Sequence, residues 1–77
     1  MKRTELPDSS LIASAGIEEH SDGPVMEIEF RNGVAVVYQY TGPKVREHYD
    51  ALMKAPSAGQ YFLRQIKTCP HTKFTKV

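Results

Sequence analysis

Residues 25–40 run Val25-Met26-Glu27-Ile28-Glu29-Phe30-Arg31-Asn32-Gly33-Val34-Ala35-Val36-Val37-Tyr38-Gln39-Tyr40. Met26, Ile28 and Phe30 alternate with Glu27, Glu29 and Arg31, the period of a strand with one face in a core and the other in water. Asn32-Gly33 follows, a pair that tolerates the positive φ of a tight hairpin. The next seven residues are mostly β-branched or aromatic. Val34, Val36, Tyr38 and Tyr40 share one face, and Ala35, Val37 and Gln39 the other. Pairing across the turn sets the first group against Met26, Ile28 and Phe30.

Working outward, Leu11, Ala13, Ala15 and Ile17 alternate with Ile12, Ser14 and Gly16, which predicts an earlier strand over 9–19. His20-Ser21-Asp22-Gly23-Pro24 is a turn cluster. On the other side, Thr41-Gly42-Pro43 ends the last strand, and Pro43 suits the first position of a helix. Val45, Tyr49, Leu52 and Met53 recur at helical spacing with His48 beside them, until Ala55-Pro56 stops the helix. Ser57-Ala58-Gly59-Gln60 has the spacing of a capping box and opens a second helix. Tyr61, Phe62, Leu63 and Ile66 form its apolar stripe, and Gly59 in its first turn predicts a close backbone approach. Thr68-Cys69-Pro70 ends it. The expected fold is α+β: a three-stranded antiparallel β-meander followed by two α-helices packed on one face. Residues 1–8 are expected to be a flexible lead-in, 9–70 the domain, and 71–77 a basic tail.

Seventy-seven residues support one modest core. An apolar fraction of 40% with 25% charged residues excludes wholesale disorder. The single Cys69 leaves no internal disulfide and no metal site built on paired cysteines, which fits a reducing compartment. No apolar run approaches the ~20 residues of a membrane span, and no apolar stretch follows the basic start as in a signal peptide. A cytoplasmic protein with no membrane partner is expected.

The order of these signals resembles the KTSC domain family, named for the C-terminus of some lysyl-tRNA synthetases. The matching pieces are Ser9-Ser10, the strand and turn from Met26 to Gly33, Tyr38-Gln39-Tyr40 as the family's Y-x-Y motif, Pro43 with Tyr49 and Leu52, and Ser57-Ala58-Gly59-Gln60-Tyr61-Phe62 with Ile66. They span about residues 9 to 68. Leu63 departs from the family pattern, which often has a polar residue there. The family has no established activity, and its synthetase link has prompted the suggestion of RNA binding.

Charge is distributed unevenly. From residue 64 onward stand Arg64, Lys67, Lys73 and Lys76 with no acidic residue; before it, six basic residues face nine acidic ones, a net of −3. A basic end of this kind suits phosphates or an acidic protein surface. Tyr38 and Tyr40 on one strand face are candidates for base stacking, although the same face suits them to a core. Catalytic signals are weak. His20, His48 and His71 are scattered over a turn, a helix and the tail. Cys69 stands at a helix C-terminus, the wrong end to activate a thiol. Glu27 and Glu29 fit a solvated strand face better than a pair of catalytic acids. The expected function is therefore a non-enzymatic module without cofactor or metal. It binds nucleic acid, RNA or tRNA, through Tyr38, Tyr40, Arg64, Lys67, Lys73 and Lys76. The alternative is a protein-interaction module, such as a phage-encoded inhibitor of a host defence complex.

Overall fold

The computed structural model describes residues 3–32, 34–69 and 72–77. Five strands lie in chain order in one antiparallel sheet: β1 (Thr4–Glu5), β2 (Ile12–His20), β3 (Gly23–Asn32), β4 (Val34–Thr41) and β5 (Lys73–Lys76). Between β4 and β5 come α1 (Val45–Lys54) and α2 (Ala58–Tyr61), and α2 continues directly into a π-helical segment (Phe62–Ile66).

The hairpin pattern predicts the central register. Met26 stands opposite Tyr40, Ile28 opposite Tyr38 and Phe30 opposite Val36. Gly33 lies outside the described residues, and the pair flanking it is Asn32 with Val34. Met26, Ile28, Phe30 and Tyr40 form the floor of the core, which Val45 and Leu52 of α1 and Phe62 and Ile66 of the π-helical segment cover. The helices thus lie on one face of the sheet, as expected.

Four details differ from the expected fold. First, the sheet has five strands where three were predicted. Thr4–Glu5 and Lys73–Lys76, assigned to the lead-in and the tail, pair with β2 and β4. Both are short and exposed. Main-chain hydrogen bonds hold them, and these leave no hydrophobic period to detect. Second, the alternation in β2 is broken. The register slips between Ile12 and Ser14, so Ile12 and Ala15, three apart, both sit fully buried in the core. A bulge adds one residue and so reverses the facing of everything after it. Third, the second helix is not α-helical throughout. The Lys67 amide donates to the Phe62 carbonyl at 2.8 Å, an i→i+5 bond. Helix α1 also begins at Val45, two residues beyond Pro43.

The predicted cap and the predicted close approach are both present. The Ser57 hydroxyl accepts from the Gln60 amide at 3.4 Å. A Cβ placed on Gly59 would stand 3.1 Å from Leu11 Cβ, a contact that fixes how tightly α2 approaches the chain entering β2. The outer face of the sheet has a polar network. Arg3 pairs with Glu27 and donates from Nε to Ser14 Oγ at 3.0 Å. Ser14 Oγ in turn donates to Glu29 at 2.9 Å, and Gln39 Nε2 donates to Glu27 at 3.1 Å. Glu27 is thereby buried, not solvated as expected. The Gln39 hydrogen bond, with Arg3 beside it, holds its carboxyl below the usual carboxylate range against the opposing effect of burial.

The approach at Gly59 predicts a graded response to added bulk. Gly59→Val should destabilise the fold by about 1–3 kcal/mol through overpacking against Leu11. Gly59→Ala should be much milder, because alanine's helix propensity returns up to about 1 kcal/mol. Urea unfolding of the two variants checks this order.

Candidate nucleic-acid interface

Where β4 meets β5, the helices no longer cover the inner face of the sheet. Antiparallel pairing sets Phe74 opposite Tyr40 and Lys76 opposite Tyr38, so all four side chains rise from the same face. Tyr38, Tyr40 and Phe74 form a row of rings. Tyr38 and Phe74 meet edge to face at 5.7 Å between centroids, and Tyr40 and Phe74 lie 6.1 Å apart. Behind them, Phe62 meets Phe30 at 5.1 Å and Tyr40 at 5.8 Å. Edge-to-face contacts of this kind stiffen the row beyond simple area burial.

Between this row and the π-helical segment lies a cleft of about 450 Å³. Its floor is Phe30, Tyr38 and Tyr40, and its walls are Phe74 on one side and Leu63, Ile66 and Lys67 on the other. None of its ten lining residues is acidic. Phe74 is 66% exposed and Leu63 46% exposed, although both are large and apolar.

The six residues singled out from the sequence separate into groups. Tyr40 is buried, and its enclosure raises its hydroxyl pKa, helped by the neighbouring Tyr38. Tyr38 is partly buried and packs against the core. Lys67 lines the cleft, and Lys76 rises from the same sheet face. Lys73 lies opposite Thr41 and lines a separate depression near Gly23 and Pro43. Arg64 lines another, beside Pro56 and Tyr61. Residues three apart on an α-helix are neighbours, but the π-helical turn carries Arg64 and Lys67 to different sides. Phe74 and Leu63 were missed as site residues. Phe74 lies within the expected basic tail, and the strand that aims it at Tyr40 has no hydrophobic period.

A second cluster lies where α1 meets the last helix. His48 Nδ1 and the Tyr61 hydroxyl are 3.2 Å apart, and the two rings meet edge to face at 6.2 Å. His48 Nε2 is enclosed without a hydrogen-bond partner among the described residues. Burial holds the imidazole below its ordinary pKa, against the pull of Glu47 and with a smaller push from Lys44. Burial also raises the Tyr61 hydroxyl, and Cys69 and then Glu47 add to the effect. His20 pairs with Glu18 at 3.1 Å on the surface, and His71 lies outside the described residues. No group of three or more histidine, cysteine or carboxylate side chains among the described residues is placed to hold a metal. No described helix is long and apolar enough to cross a membrane.

A family model described as the KTSC domain matches residues 8–69. No curated protein matches the chain at a significant level.

The enclosure of His48 predicts a pH-dependent stability. Its pKa in the folded chain is lower than the ordinary 6.5 of the unfolded one, so the unfolded state takes up the proton first as pH falls. Stability from this residue is complete above that ordinary value. It declines as pH drops through it and levels off below the folded pKa. Urea midpoints measured between about pH 7 and 5 should fall in the parent chain and flatten in His48→Gln.

Proposed function

The chain belongs to the KTSC domain family, and from its aromatic cleft we propose that it is a non-enzymatic module that binds nucleic acid, RNA in the first instance. The observation that carries this reading is the placement of Lys67 in the cleft with the Tyr38, Tyr40 and Phe74 rings, and of Lys76 opposite Tyr38 on the same sheet face, with no acidic side chain among the described lining residues. Nucleic acids present flat aromatic bases joined by anionic phosphates, and a protein surface that pairs rings with cations matches both parts. The enclosed Tyr40 acts in this reading as the support for Phe74 and Tyr38. Lys73 and Arg64, which face away from the cleft, contribute only long-range attraction. A cytoplasmic setting accords with it.

A protein partner is the second reading. It is favoured by the exposure of Leu63 and Phe74, which line the cleft together and form an apolar pair of the kind that interfaces cover. A protein ligand held this way would bind with little dependence on salt.

The two readings separate in a salt titration. Binding of a labelled RNA, followed by anisotropy at several salt concentrations, should weaken linearly on a logarithmic scale. Each phosphate contact contributes a slope of about −0.7 for a single strand. Lys67→Gln and Lys76→Gln should each flatten the slope by about that amount. Arg64→Gln and Lys73→Gln should lower affinity less and leave the slope nearly unchanged. Equal effects from all four, or none from any, would remove the cleft from the interface.

A further inference from the structure

Within the nucleic-acid reading, on which this step rests, we propose that the ligand is single-stranded and that an unpaired base enters the cleft and stacks on Phe74. The shape of the site distinguishes single strands from duplexes. In a duplex the base faces are stacked on one another and the convex surface presents sugar and phosphate. A-form RNA has a major groove too narrow for side chains and a shallow minor groove read through its hydroxyls. A protein surface for such a ligand is broad, polar and basic. This site is concave, floored by three aromatic residues and walled by Phe74, Leu63 and Ile66. Only a base turned out of a helix, or never in one, can satisfy that lining.

The placement of charge agrees. Lys67 lines the cleft at its π-helical wall, and Lys76 stands on β5 opposite Tyr38 of the cleft floor, so one cation lines the cleft and the other adjoins its aromatic floor. Two lysines so placed suit the phosphates next to one inserted nucleotide. The chain's net charge of only +1 leaves most of the affinity to stacking. Phe74 is the natural platform because it is 66% exposed while the neighbouring Tyr38 and Tyr40 rings pack against it. Leu63 closes the opposite side, where an aliphatic side chain packs against a base face without discriminating its edge. Recognition of this kind tolerates any sequence.

The test compares a labelled single-stranded RNA of about eight nucleotides with the same strand annealed to its complement. The single strand should bind at least about tenfold more tightly. The chain has no tryptophan, so its fluorescence comes from Tyr38, Tyr40, Tyr49 and Tyr61, and the share from Tyr38 and Tyr40 should be quenched on binding. Phe74→Ala should cost roughly tenfold or more in single-strand affinity. Phe74→Trp keeps a ring at the site, so it should retain affinity and provide an indole emission that the RNA quenches, even if the alanine variant loosens β5. Duplex binding equal to or tighter than the single strand would overturn the inference and leave the nucleic-acid reading standing. So would retained affinity in Phe74→Ala with the Lys67 and Lys76 effects intact. Binding to neither RNA would overturn both.

Discussion

The pairing of β3 with β4 sets which side chains can meet anything else. With Met26 opposite Tyr40 and Ile28 opposite Tyr38, the apolar residues of both strands face the helices, and Glu27, Gln39 and Glu29 face away. Side chains alternate every residue along a strand, so a slip of one position would send Met26 and Ile28 into water and Glu27 under α1. The register therefore decides the core, the polar network and the cleft together. It also explains why a chain this small can keep a buried carboxylate. Glu27 lies where Gln39 and Arg3 can both reach it, and a carboxylate with two partners is tolerable where a lone one is costly.

The helical layer completes what the hairpin begins. Val45 and Leu52 cover one end of the floor, and Phe62 and Ile66 the other. The close approach at Gly59 draws α2 onto Leu11, and the wider π-helical turn follows at once. That turn moves Lys67 to the cleft and Arg64 away from it. π-Helical turns are rare and concentrate at functional positions, and here one forms a wall of the site proposed for binding.

Much of this was legible in the sequence, for definite reasons. The hairpin was legible because Met26, Ile28, Phe30 and their partners alternate strictly around Asn32-Gly33. The cap at Ser57 and the tight contact at Gly59 were legible because only certain residues serve those positions. What was not legible depended on partners far away in the chain. Arg3 gives no local sign that it will reach Glu27. The bulge after Ile12 shows only as an alternation that fails, which a run of small residues such as Ala13-Ser14-Ala15-Gly16 disguises. The site was half legible. Lys67, Lys76 and Tyr38 were found by residue type, whereas Phe74 joined them only through an edge strand that no periodicity announces.

That edge strand has a consequence for the behaviour of the protein at high concentration. Among the described residues β5 is the outermost strand on its side, so its far side presents backbone groups to whatever chain approaches. An open edge with an exposed phenylalanine is a template for adding foreign strands and, in the extreme, for fibre growth. Lys73 and Lys76 bracket Phe74, and lysines on an edge oppose such addition by repelling a second copy. This pair of charges guards the edge, and Lys76 also rises from the sheet face that carries Tyr38. An anion that neutralised Lys76 would remove part of that protection, so edge protection and the charge state of this face are coupled through a single ammonium group.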